Sequence, residues 1–274
     1  MQHSHVRLWY QSLTRPGAWP AYNAALRRLL DAAAEPGTTV DVHGIEGRGG
    51  IGDQYRYLEF IETIEVLGNV RRAEREGYDA VLLGNIADPG LQQARELATI
   101  PVLGLCETVA HLACMMGARF GIVASNDKHR VKVEENIAAY GLGGRLVASG
   151  RMRVERLVDL DLGFREPAAR DDLLDRFRAA AEEVAAAGAE VVVPAVGVVM
   201  TLVAEAGINR LPGDAVVPNG VAALVKAGEL AVRLRALQGG HFTSRRLAYA
   251  RPPETQMEEL ARAYGDIYPA GQEP

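Results

Sequence analysis

The sequence predicts an α/β fold of two βα halves with parallel sheets and a cleft between them, and three observations carry the parallel-sheet class. Short apolar runs alternate with stretches of helix length, the pattern of a parallel sheet covered by helices. The runs are near-continuous in Val, Leu and Ile, as strands buried on both faces require. Pro or Gly punctuates many of the junctions, where the chain must turn.

The elements follow in order. HVRLWY (5–10) is the first strand and 19–34 the first helix; TTVDVHG (38–44) leads to a helix over 54–76, and DAVLLG (79–84) to one over 88–97. PVLGL (101–105) precedes a helix over 106–117, RFGIVA (119–124) one over 128–139, and RLVAS (145–149) one over 168–187. AEVVVPA (189–195) feeds a helix over 197–207, and DAVVP (214–218) one over 219–237. A polar stretch, HFTSRRLAYARPPE, and a short amphipathic helix over 254–264 end the chain as a surface appendage or interface arm. The series runs twice, so residues 1–117 with about 215–237 form one expected half, 118–214 the other, and 238–274 an extension.

Composition narrows the function classes. With 274 residues and 48% hydrophobic content, the chain can bury one large core or two small ones. The net charge of -5 and the lack of a Lys/Arg run argue against nucleic acid as a partner. No apolar stretch reaches the roughly 20 residues that cross a bilayer, and MQHSHVRLWYQS has no signal-peptide core, so no membrane association and a cytoplasmic location are expected. Cys106 and Cys114 are the only cysteines; a disulfide framework is excluded, and any thiol chemistry falls to one of them. His3 and His5 sit at an end that usually frays, and no His/Cys/carboxylate group has ligand spacing, so no metal is expected. No phosphate-binding Gly-rich motif follows a strand; GRGGIG (47–52) reads as a flexible loop over the cleft. The expected partners are a small-molecule substrate and further copies of the chain, with no cofactor.

Open α/β sheets bind ligands outside the carboxyl ends of their strands. The residues found there are Gln11, Ser12, Asn85, Cys106, Glu107, His111, Ser125, Asn126, Pro194, Ala195, Val196, Gly197 and Asn219. Backbone N–H groups at helix starts, such as those around Ala195 to Val198, would join these residues in holding a carboxylate or carbonyl oxygen. Ser12, Ser125 and Asn126 would serve equally as helix caps. Glu107 and His111 lie four apart on one helical face, which suits an acid/base pair, or a helix-start carboxylate beside a buried histidine. Cys106 opens a helix, where a thiol is acidified, but it adjoins Glu107 and equally suits a small packing role. The Asn85 amide could donate to a carbonyl oxygen or enolate, or form the turn before DPG.

The stretch GNIADPGLQQARELATIPVLGLCETVAHLACMMGARFGIV (84–123) resembles hydantoin and allantoin racemases of the aspartate/glutamate racemase superfamily. DPGL (88–91), the strand ending in VLGL, and the Glu107/His111 spacing before a Gly and an Arg-Phe strand carry the likeness. GAEVVVPAVGVVMTLVAEAG (188–207) is similar to that family's second active-site strand and turn, PNGVAALVKAGELAV (218–232) to its closing helix, and LWYQSLT more weakly to its start. The resemblance implies a pseudo-twofold fold with the substrate between the halves, and two facing cysteines that move the α-proton. By that alignment the cysteine positions fall on Asn85 and Ala195, neither of which can carry a proton at neutral pH. The expectation is therefore a cofactor-independent enzyme acting on a small carbonyl, carboxylate or hydantoin-like compound without two thiols. Gln11, Ser12, Asn85 and the amides of 195–198 would hold the oxygens, and His111 with Glu107 would move the proton. A lyase, a hydrolase, or a silent metabolite-binding protein would show the same residues.

Overall fold

The computed structural model describes residues 5–51, 54–265 and 267–268. His3, Gly52 and the last residues of the expected extension lie outside them. Among the described residues the strands are β1 (Val6–Gln11), β2 (Thr38–His43), β3 (Ala80–Leu83), β4 (Val102–Gly104), β5 (Phe120–Ala124), β6 (Leu146–Arg151) and β7 (Val191–Pro194). The helices are α1 (Pro20–Ala33), α2 (Arg56–Arg75), α3 (Leu91–Leu97), α4 (Leu105–Met116), α5 (Asp127–Ala139), α6 (Pro167–Ala186), α7 (Gly197–Glu205), α8 (Gly220–Leu237) and α9 (Glu254–Tyr264). Three 3-10 segments cover Gly143–Arg145, Leu157–Phe164 and Leu247–Tyr249.

Two all-parallel sheets result, ordered β2-β1-β3-β4 and β6-β5-β7. Strands β3, β4, β5 and β7 are buried throughout and β1 over its last four residues, whereas β2 and β6, each at one edge of its sheet, are only half-buried. Burial on both faces thus fails at β2 and β6, while the opposite edges, β4 and β7, stay buried. The expected strand DAVVP reduces to bridges of Val216 with Val191 and Arg210. Asp214 before it takes a left-handed φ of 68°, and Pro218 after it has no N–H to continue the ladder.

Helix faces follow their apolar spacing. Tyr22, Leu26, Leu30 and Ala33 bury one side of α1, and Val221, Leu224, Val225 and Ala231 one side of α8. Helices α2 and α3 cover the outer face of the first sheet, where Val66, Val70 and Leu91 meet Trp9, Val81 and Leu83. Helix α6 covers the outer face of the second, through Leu173, Phe177 and Val184. The inner faces share one core: Leu8 and Leu82 of the first sheet and Ile122 and Val193 of the second join it through Val109 of α4 and Leu224 of α8. Each such side chain contributes roughly 1.5–3 kcal/mol by leaving water, and this shared layer holds the carboxyl ends of the two sheets together.

Candidate active site

The turns after those strand ends meet around a cavity of about 50 Å³, room for a few water-sized groups. Ser12 to Thr14 reach it from the end of β1, Gly50 and Ile51 from the loop after β2, and Gly84 to Ile86 from the end of β3. The second sheet supplies Val196 to Val198 after β7, His129 on α5, and Leu157 and Leu160 of the 3-10 segment after β6. Trp19 and Tyr22 of the α1 start complete the wall. Helix α1 ties the two sides together: the Tyr22 ring meets Phe164 edge-on at 5.5 Å, and Arg28 pairs with Glu205.

Asn85 is half-buried in this wall, and its Oδ1 accepts from the Ala87 N–H at 2.8 Å. That bond makes the DPG turn and orients the amide, so Nδ2 is the side chain's donor. Ser12 shares a 2.9 Å hydrogen bond with the Thr14 hydroxyl and accepts from the Thr14 N–H at 3.1 Å. Helix α7 starts after Val196 without a side-chain cap, leaving its first N–H groups as donors at the cavity wall.

The other sequence candidates are placed elsewhere. The Gln11 amide is spent inside the fold, accepting from the Trp9 indole at 3.0 Å and donating to the Ser12 carbonyl at 2.9 Å. Asn126 caps α5, accepting from the His129 N–H at 3.0 Å, and donates to the Gln54 Oε1 at 2.7 Å. Ser125 is fully buried with its hydroxyl 3.2 Å from His129 Nδ1. Pro194 and Ala195 lie behind the wall that Val196 to Val198 form, and the Ala195 N–H donates to the Val123 carbonyl at 2.8 Å. Asn219 caps α8 through the Ala222 N–H at 3.0 Å.

The expected Glu107/His111 side-chain pair is not formed. Glu107 instead takes the Arg95 guanidinium on two oxygens, one at 3.0 Å, while exposed His111 reaches only the Glu107 backbone carbonyl, at 2.8 Å. Both sit on α4 outside the cavity wall, because the face they share looks toward α3 and solvent. Cys106 is buried in the shared core, where desolvation and then the neighbouring Asp88 and Glu107 push its thiol well above the ordinary range; no cysteine lines the cavity. The Gly-rich loop is tethered rather than loose: Gly50 N–H donates to Glu62 at 2.7 Å and Gly47 N–H to Glu65 at 3.1 Å. Among the described residues no group of three His, Cys, Asp or Glu could hold a metal ion.

Sequence reasoning missed Thr14, Trp19, Tyr22, His129, Leu157 and Leu160. His129 had a signal, since it lies three residues past the Asn126 cap of a helix that begins after a strand. Trp19 had none in the sequence: it takes a left-handed φ of 56°, a costly conformation for a bulky side chain that the surrounding packing must hold.

The sequence pattern described as Asp/Glu/Hydantoin racemase matches residues 16–227. The hydantoin racemase of Rhizobium meliloti is 30% identical over 192 residues, which are 68% of this chain and 72% of that protein. That of a Pseudomonas species is 33% identical over 91 residues, only 33% of this chain and 36% of that one. The solved structure of allantoin racemase from Klebsiella pneumoniae superposes with a TM-score of 0.73 at 26% identity, covering 91% of this chain and 94% of that one.

Proposed function

This chain belongs to the Asp/Glu/Hydantoin racemase family, and from that premise we propose that it is a cofactor-independent, isomerase-like enzyme acting on a small carbonyl compound of hydantoin type. The observation that carries the reading is the convergence of the Asn85 turn and the Val196 to Val198 turn on one cavity, although they come from different sheets. The Asn85 amide and the N–H groups at the start of α7 would hold and polarise a carbonyl oxygen, preorganised donors being worth most where charge develops. The remaining wall is largely apolar, with Leu13, Trp19, Ile86, Leu157 and Leu160, and among the described residues no Lys, Arg, Asp or Glu lines it. An uncharged ring suits that wall better than a free dicarboxylate, whose charges would be buried without partners.

The absence of thiols from the wall removes the two-cysteine route and favours a second reading, a silent member that binds the same ring without turnover. One experiment separates them. The protein is incubated with 5-methylhydantoin in deuterated buffer near neutral pH, with binding followed by calorimetry and label at the ring carbon by mass spectrometry. Saturable binding with protein-dependent label marks the enzyme, saturable binding alone marks the silent member, and no binding removes both.

A further inference from the structure

We infer that the outward face of α2 is a two-fold interface: two copies of the chain pack their α2 helices antiparallel, with Ile64 on the axis and the Phe60 ring of each seated over the partner's Gly68. The face lies outside the cavity wall, and the inference goes beyond the proposed reading of that site.

A surface helix normally buries one apolar side and turns polar residues to water. Helix α2 buries Val66, Val70 and Ala73 against the first sheet, yet over its first half the opposite side is apolar too. At 3.6 residues per turn, Tyr57, Phe60, Ile64 and Gly68 fall on one stripe that looks directly away from Val66 and Val70. Tyr57, Phe60 and Ile64 are 74%, 63% and 62% exposed. These values hold with α9 and the rest of the described chain in place, so no described element of the same chain covers the stripe. It stands as a ridge between two occupied flanks: Thr63 and Leu67 lie against Gly90 at the start of α3, and Glu65 accepts from the Glu46 and Gly47 N–H groups.

A second copy fits this ridge because the stripe complements itself about Ile64. Phe60 and Gly68 stand four residues on either side of it, so a two-fold axis there sets each ring over backbone that carries no side chain. That space is open, since a Cβ at Gly68 would have nothing within 4 Å. The same axis brings the Tyr57 ring beside the partner's Arg71, each seven residues from Ile64, a cation on a ring face that adds to the contacts Arg71 keeps within its own chain. Spacings of three and four residues are those on which antiparallel helices interdigitate. The area agrees. Tyr57, Phe60 and Ile64 leave about 400 Å² uncovered, the size of the largest patch on a typical monomer. Two facing copies double that, and Ile61, Leu67 and the stems of Arg71 and Arg75 carry the total past the roughly 1,000 Å² of a specific interface. A membrane surface suits the ridge poorly, because interfacial helices carry Lys and Arg on their polar face, whereas Glu65, Glu74 and Glu76 flank this stripe and the net charge is -5.

The test uses the whole protein, with mass read by analytical ultracentrifugation over a wide range of concentration and fold by circular dichroism. Ile64→Glu and Ile64→Lys each place like charges face to face on the axis. Both change an exposed side chain and leave the folded chain intact, so each variant is expected at half the mass of the wild-type assembly. Mixing the two in equal amounts puts opposite charges on the axis and restores the full mass, which happens only where residue 64 of one copy meets residue 64 of the other. Phe60→Ser, an uncharged change on the same ridge, is expected to weaken assembly at least tenfold and keeps the test open should a charged variant unfold. A single-chain mass for the wild type would give the face to a different partner and overturn the inference. Undiminished assembly in any folded variant, or a mixture that stays apart, would overturn it as well. Hydantoin binding decides the reading of the cavity separately.

Discussion

In the proposed reading Asn85 does two jobs with one amide, and they separate on substitution. Its Oδ1 fixes the DPG turn through the Ala87 N–H, a bond worth about 1 kcal/mol net, while the residue also lines the cavity. Asn85→Ala should therefore lower the melting temperature slightly and lower turnover of a hydantoin probe by about 10² to 10³, as loss of one preorganised oxyanion donor does. Equal melting curves and equal turnover would show that the turn alone explains the residue. His111 behaves oppositely, because exposed imidazole on α4 touches nothing in the cavity. His111→Gln should leave turnover unchanged and stability within about 0.5 kcal/mol; a large loss of turnover with an intact fold would return the proton role to α4. In a linear reading, four-residue spacing puts Glu107 and His111 on one face but does not say where that face looks. Arg95 answers the carboxylate from another helix, and nothing between the two residues announces it.

At the scale of elements, Asp88 shows how the helices are pinned beneath the site. It starts no helix of its own, yet its buried carboxylate accepts from the Cys106 N–H at 3.0 Å, the Glu107 N–H at 2.9 Å and the Tyr140 hydroxyl at 2.7 Å. The first turn of α4, the α3 turn and the end of α5 are thereby joined at one side chain. Burial pushes its pKa from 3.8 up to about 7, against the Tyr140 and backbone donors that pull it down. Folding then takes up a proton between those values, so the stability this group contributes is complete below about pH 4 and is lost as pH rises through about 7. Urea melts of the wild type and Asp88→Asn should accordingly show the wild type faring better relative to the variant at about pH 5 than at about pH 8. A gap that is constant with pH would mean that the carboxylate stays ionised throughout. The elements themselves were legible, since apolar periodicity and punctuation are local. DAVVP failed because pairing needs a partner along its whole length, and the 3-10 segment at Leu157–Phe164 is not among the expected elements, its apolar residues serving the cavity and core together.

Across the whole molecule, the two sheets were readable as a doubled series, but the composition of the cleft was not, because topology decides which turns meet. One meeting of those turns lies at two glycines. Gly84 has no room for a side chain, since a Cβ there would come 2.1 Å from Cζ of the fully buried Tyr10 ring. Gly197, opening α7, would place a Cβ 3.2 Å from the Gly84 carbonyl oxygen, so that the β3 turn and the β7 turn would have to part by a few tenths of an ångström. Gly197→Ala therefore sets a helix-propensity gain of about 0.5–1 kcal/mol against crowding that typically costs about 1–3 kcal/mol. The net stability change should be modest. Binding should suffer more, because the contact being opened is the seam of a cavity of about 50 Å³; affinity for a hydantoin probe is expected to fall at least tenfold. Gly68→Ala is the control. It lies inside α2 with nothing within 4 Å of its Cβ position, so it should gain about 0.5–1 kcal/mol and leave affinity unchanged. Calorimetry and urea melts on both variants decide the matter: unaltered affinity in Gly197→Ala would show that the seam between the sheets can open without disturbing the cavity.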